Sequence, residues 1–134
     1  MTISIDGMTP LIQVFSMRRS LAFYRDLLGF EVQMDSGGGD DASWVWIGRD
    51  GINLMLNDQY EPGHVPPECP PERVRWHSDT SLFFGGDPDA IHGYMTAKGL
   101  SPKPPINTSY GMRQLSVTDP DGYNLCFQRS VDDE

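Results

Sequence analysis

Hydrophobic positions along the chain switch between two periods. Residues 8–15 alternate apolar and polar, as a strand with one buried face does. Over residues 18–28 the spacing lengthens. Leu21, Tyr24, Leu27 and Leu28 fall on one helical face, and Gly29 follows where a left-handed cap belongs. Three strand-like runs come next, residues 30–34, 43–48 and 51–57, with Arg49-Asp50-Gly51 as a hairpin signal between the last two. After a proline-rich segment the same order returns. Residues 80–84 read as a strand. Asp87-Pro88-Asp89 opens a helix, with Asp87 as N-cap and Pro88 in the first turn. Ala90, Ile91 and Met95 form its apolar face, and Lys98-Gly99 ends it. A short run at residues 100–102 follows. Two last runs, residues 112–118 and 123–129, flank the turn sequence Asp119-Pro120-Asp121-Gly122.

The order β-α-β-β-β therefore occurs twice, a repeat of about fifty residues. This pattern predicts an α+β fold. Two βαβββ modules form curved mixed sheets around a cup, with helices on the convex side. A single domain, residues 1–134, would hold module one at 5–57, a linker at 58–79 and module two at 80–130. The linker carries Pro62, Pro66, Pro67, Pro70 and Pro71, and proline cannot donate a ladder hydrogen bond. Alternation also assigns faces. Val45 and Ile47 point one way, Trp44 and Trp46 the other; Ile52, Leu54 and Leu56 alternate with Asn53, Met55 and Asn57. Leu125 and Phe127 alternate with Asn124, Cys126 and Gln128. The aliphatic set should pack on the helices. The mixed set of aromatics, amides and sulfur suits a small-molecule cavity.

Composition narrows the function class. The chain has 134 residues, enough for a core without disulfides or a structural metal. Ten basic residues against 19 acidic give a net charge of −9. Nucleic-acid binding needs cations to displace counterions from phosphates, so it is disfavoured, as is an anionic membrane surface. The acidity favours a cationic ligand if it extends to the cavity mouth. Two cysteines, Cys69 and Cys126, do not make a disulfide framework, and a cytoplasmic setting is expected. No apolar run approaches the ~20 residues of a membrane span. No basic stretch followed by an apolar segment opens the chain, so no secretory signal is expected.

Two motifs carry a resemblance. The run Ser20-Leu21-Ala22-Phe23-Tyr24-Arg25-Asp26-Leu27-Leu28-Gly29-Phe30-Glu31 resembles the first helix and turn of the vicinal oxygen chelate superfamily. That superfamily includes glyoxalase I, extradiol dioxygenases, fosfomycin-resistance enzymes and bleomycin-resistance proteins. Asp119-Pro120-Asp121-Gly122-Tyr123, preceded by Gly111-Met112-Arg113-Gln114-Leu115, is similar to the approach to its last strand. The resemblance spans residues 5–130. It is specific for fold and not for reaction. It implies a homodimer of paired modules. In the family's enzymes it also implies a divalent metal held by His, Glu or Gln. The corresponding positions here hold Thr9, Met55, Thr80 and Cys126, which are not family ligands. No metal and no cofactor are expected. Of the three histidines, His64 falls in the linker, His92 on the second helix, and His77 near a cavity mouth. Each is expected to be exposed or hydrogen-bonded.

The candidate ligand-binding residues are Trp44, Trp46, Asn53, Met55, Thr80, Phe84, Tyr110, Gln114 and Cys126. Trp44, Trp46 and Phe84 either stack on a planar ligand or fill the cup or a dimer interface. Tyr110 is a rim residue or simple packing. Met55 and Cys126 are soft contacts or cavity filling. Asn53, Gln114 and Ser116 orient a ligand or are solvated. Arg18-Arg19, Asp40-Asp41 and the tail Asp132-Asp133-Glu134 read as solvated charges. No catalytic residue is assigned. The leading expectation is a metal-free protein of the bleomycin-resistance branch. It sequesters an aromatic or peptide-like compound, for antibiotic resistance or self-protection. The alternatives are a glyoxalase- or dioxygenase-like enzyme with atypical or no metal ligands, and an interaction module whose cup is self-filled.

Overall fold

A computed structural model describes residues 2–58, 60–61 and 63–133; Pro62 of the linker and Glu134 of the acidic tail lie outside the described residues. The fold is α+β. The chain divides into two compact units, Met1–Glu68 and Cys69–Glu134. Each holds one open four-stranded mixed sheet.

The first unit contains β1 (Leu11–Val14), helix α1 (Met17–Leu21), β2 (Glu31–Asp35), β3 (Trp44–Arg49) and β4 (Ile52–Asp58). Its strand order is β1-β4-β3-β2, with β1 parallel to β4 and the other pairs antiparallel. Pro10 stands just before β1 and lacks an N–H. Its carbonyl instead accepts the Met55 N–H at 2.8 Å, which shortens the strand expected over residues 8–15. Ser16 caps α1 through the Arg19 N–H. Helical turns continue beyond α1, but residues 22–27 widen to π geometry, with the Leu28 N–H donating to the Phe23 carbonyl at 3.0 Å. Gly29 closes the helix at φ +79°, and Arg49 Nη1 donates to the Leu28 carbonyl at 2.6 Å. Asp50 and Gly51 both have positive φ, as a two-residue hairpin turn between β3 and β4 requires.

The second unit contains α2 (Pro71–His77), β5 (Ser81–Gly85), α3 (Pro88–Ala97), β6 (Ile106–Asn107), β7 (Met112–Thr118) and β8 (Asn124–Ser130). Its order, β5-β8-β7-β6, repeats the first, with the parallel pair in the same place. Asp87 caps α3 by accepting from the Asp89 and Ala90 N–H groups, with Pro88 at the first helical position.

Two expectations need correction here. Residues 58–79 are not all linker: Pro71 opens helix α2, which belongs to the second unit. The short strand is not at residues 100–102. The Leu100 N–H closes the α3 terminus on the Met95 carbonyl, and the Pro102 carbonyl is engaged by His92. Pro104 and Pro105 have no donor, so pairing starts at Ile106.

The core in each unit lies between sheet and helix. Ile12, Val14, Val45, Ile47, Leu54 and Leu56 are buried on one face of the first sheet, whose β4 packs against α1. Leu115, Leu125 and Phe127 are buried in the second, whose β7 and β8 pack against α3.

Candidate functional site: the open sheet faces

The alternation that buries one face of each sheet leaves a second face free of its helix. In the first unit the pairing registers set Leu11, Met55, Trp46 and Met34 side by side across all four strands. Gln13, Asn57 and Trp44 form the adjacent row. Two indoles and two thioethers thus share a surface with three amides. Trp46 Nε1 donates to Asn53 Oδ1 at 3.0 Å, and Asn57 Nδ2 donates to Gln13 Oε1 at 3.0 Å. Gly48 makes the first of these bonds possible, because a Cβ there would lie 3.0 Å from Asn53 Oδ1. Trp44, Trp46, Asn53 and Met55 are half-buried and stand together on this face.

In the second unit Phe83, Cys126 and Ser116 form one row, and Gly85, Gln128, Gln114 and Ile106 the next. Gln114 Nε2 donates to Gln128 Oε1 at 2.9 Å and to the Tyr110 hydroxyl at 3.0 Å. Tyr110, Gln114 and Cys126 therefore belong to this open face, with Tyr110 exposed at its margin.

Phe84 does not join them. It stands in the row of Phe127 and Leu115 and stacks on Phe127 with ring centroids 5.1 Å apart. That side of the sheet faces α3, since Arg113 in the same phase makes paired 2.7 Å bonds to Asp89. The aromatic on the open face is Phe83, 59% exposed, which sequence reasoning missed. Leu82 was the available signal: an aliphatic residue of the helix-facing set carries Phe84 with it. Thr80 precedes β5 and is one residue out of phase with Phe83, the partner of Cys126. Its carbonyl accepts from the Asn124 N–H at 3.1 Å.

The four positions that the resemblance aligns with metal ligands carry weak donors for a divalent ion. Thr9 and Met55 offer a hydroxyl and a thioether. Thr80 is out of phase with Cys126, whose thiol is pushed up by burial and so stays protonated. No group of three or more His, Cys, Asp or Glu that could hold a metal ion occurs among the described residues. The other polar clusters are structural. His77 Nδ1 meets the Asp121 carbonyl oxygen at 2.9 Å, and its ring stacks on Tyr123 at 4.1 Å. Burial lowers the His77 pKa, which keeps the ring neutral. The Cys69 thiol is pushed up to about 11, first by burial and then by the Asp121 carboxylate. Asp119 Oδ1 accepts from the Asp121 and Tyr123 N–H groups, fixing the turn that α2 docks on. His92 Nε2 contacts the Pro102 carbonyl oxygen at 3.2 Å.

A cleft of about 360 Å³ lies in the first unit beside α1 and involves none of the expected ligand residues. Its charges are not simply solvated. Arg18 binds Asp41 through two bonds, and Arg25 binds Asp40, holding both carboxylates below their ordinary range.

The repeated strand order, with its parallel pair in the same place in both units, and the largely uncharged open faces define a two-module α+β class of protein. The glyoxalase/bleomycin resistance protein/dioxygenase superfamily model matches residues 5–127, so the chain belongs to that superfamily. No curated protein matches it. Among solved structures it is similar to the bleomycin-binding protein of bleomycin-producing Streptomyces verticillus complexed with copper(II)-bleomycin. The two are 23% identical, with 94% of this chain and 97% of that one covered and a TM-score of 0.66. TnmS3, an antibiotic binding protein from Streptomyces sp. CB03234, is 22% identical over 96% of this chain and 99% of its own, at a TM-score of 0.65. A bleomycin resistance determinant encoded on transposon Tn5 is 20% identical over 94% and 98%, at 0.67. At these identities the likeness is one of fold.

Proposed function

We propose that this protein is a metal-free binding protein. It sequesters an aromatic or peptide-like small molecule, and so serves antibiotic resistance or self-protection without breaking a bond. The observation that carries this reading is the makeup of the open faces. Indole, thioether, phenyl and amide groups line them, and among the described residues the ionisable side chains in the open strand phases are Glu31, at the exposed edge of the first sheet, and the Cys126 thiol. Stacking and apolar burial act on a planar ligand there, each aromatic contact contributing about 1 kcal/mol beyond area. The row of Cys126 holds Phe83 and Ser116, with no carboxylate or imidazole to act as a general base, and Glu31 lies at a solvent-exposed edge. Similarity to proteins that bind bleomycin or another antibiotic supports the same reading. In this proposal the protein works as a cytoplasmic homodimer; native mass spectrometry of the purified protein tests the subunit count.

The binding test uses Trp76→Phe, which removes the exposed indole of α2 and leaves Trp44 and Trp46 as reporters. A panel of planar and peptide antibiotics should quench their emission. A ligand at about 100 times its Kd should also stabilise the fold by about 2.7 kcal/mol. Silence of both signals across the panel would sink the reading.

A further inference from the structure

We propose that the molecule taken by these faces is uncharged: a planar ring system with carbonyl and N–H or O–H groups on its edge. This rests on the binding reading above and adds the charge type of the ligand. The argument comes from where the chain puts its charges. With a net charge of −9, an acidic protein would be expected to collect cations. Yet the strand charges are sorted by face. Asp35, Asp58 and Arg49 pair with or follow Val45, Leu56 and Ile47 in the helix-facing phase of the first sheet. Arg113 and Arg129 occupy that phase in the second, facing Asp87 and Asp89. Glu31 is the exception: it lies at the exposed edge, in the row of Gly48 and Asn53, whose side chain accepts from the Trp46 indole.

A cation drawn in by the long-range field would therefore lose water against indole, thioether and amide, with only the exposed edge carboxylate of Glu31 on that side of the strands to replace it. An anion would fare no better. What the faces offer is unfilled neutral hydrogen-bonding capacity. Among the described residues, Trp44 Nε1 donates to no protein group, Asn57 Oδ1 accepts from none, and Gln128 Nε2 donates to none. Trp44 and Trp46 stand two residues apart on one strand, a backbone spacing of about 6.6 Å. Their side chains leave the same face of the strand, so both can touch one planar ring. On the first unit's face the Trp44 donor, the Asn57 acceptor and the stacking surface thus occur together.

The test uses three rings of one shape on the Trp76→Phe protein: acridone, uncharged with one N–H and one C=O; 9-aminoacridinium; and acridine-9-carboxylate. Quenching is read at about 20 mM and about 300 mM NaCl. Acridone should bind about tenfold more tightly than either ion, with less than about twofold change between the salts. Met55→Glu and the near-isosteric Asn57→Asp each place a carboxylate on the face and should shift the preference toward 9-aminoacridinium by about tenfold. If the unmodified face prefers 9-aminoacridinium, or if neither substitution moves the preference, the neutral-ligand inference is overturned while binding itself stands. If none of the three rings binds, the binding reading falls with it.

Discussion

Gly122 sits where the β7–β8 turn meets α2, and replacing it measures how firmly that helix is held. Its φ is +92°, and an added Cβ would lie 2.9 Å from the Val74 carbonyl oxygen and 3.0 Å from Val74 Cα. Backbone atoms cannot rotate away, so α2 or the turn must move. The left-handed conformation costs a non-glycine residue about 1 kcal/mol. Forced overpacking adds about 1–3 kcal/mol. Gly51→Ala is the matched control, because its φ is +80° and nothing lies within 4 Å of the added methyl. Both substitutions reduce unfolded-chain entropy alike, so that contribution cancels between them. The difference isolates the clash, about 2 kcal/mol. For a chain of this length that corresponds to about 7 °C in Tm. Thermal unfolding followed by circular dichroism should therefore rank wild type, then Gly51→Ala, then Gly122→Ala at the bottom. Gly122→Ala should also hasten alkylation of Cys69, whose thiol contacts Asp121 beside the displaced turn. Equal melting of the two alanine variants, within about 2 °C, would refute tight docking of α2 on the turn.

Burial lowers the His77 pKa below 6.5, with Arg73 opposing its protonation and Asp119 favouring it. The unfolded chain then binds the proton first, so this group's contribution to stability is complete above about pH 6.5 and is lost as pH falls below it. Urea midpoints between about pH 7.5 and 5 should decline in wild type and decline less in His77→Phe. Both thiols are raised by burial, so Ellman's reagent at about pH 8 should react slowly with the folded protein and fast in denaturant; a rapid phase in the folded state would contradict the buried settings. Asp87→Ala removes the α3 cap and should cost about 1 kcal/mol in chemical denaturation, while Asp87→Asn keeps most of it.

Most strands and both strong caps are legible in the chain because their signals are local. Residues 112–118 alternate cleanly and form β7, and Asp87-Pro88 starts a helix wherever it precedes apolar residues at helical spacing. The helix inside 58–79 is harder to read. Proline density reads as interruption, yet Pro71 is at the one helical position that tolerates it, with Glu72 in the first turn and Arg75 and His77 in the last. Its stability comes from docking on Asp121 and Tyr123, residues over forty positions away, which no local pattern encodes. Phe84 shows a different limit. Period-two alternation places residues on the same side but does not say which side the helix covers. That is decided by ladder register and by the Arg113–Asp89 bonds.

The two units also separate what folding requires from what function uses. Both keep the same strand order, the same parallel pair and a buried aliphatic or aromatic set under a helix. Those positions have little freedom, since a polar group there would be buried without a partner. The open phase is not bound by that demand, and there the units diverge. One presents Trp44, Trp46, Met34 and Met55; the other presents Phe83, Cys126, Ser116 and Tyr110; amides recur on both. A repeat that held only a scaffold would leave its free faces solvated and charged, like the rest of an acidic chain. Here the strand charges lie on the helix-facing side in both units, Glu31 at the exposed edge of the first sheet excepted, although each unit carries ion pairs elsewhere: Arg18–Asp41 and Arg25–Asp40 in one, Arg113–Asp89 in the other. Scarcity of charge on both faces, with different side chains, is what a shared requirement to bind a partly apolar molecule would produce.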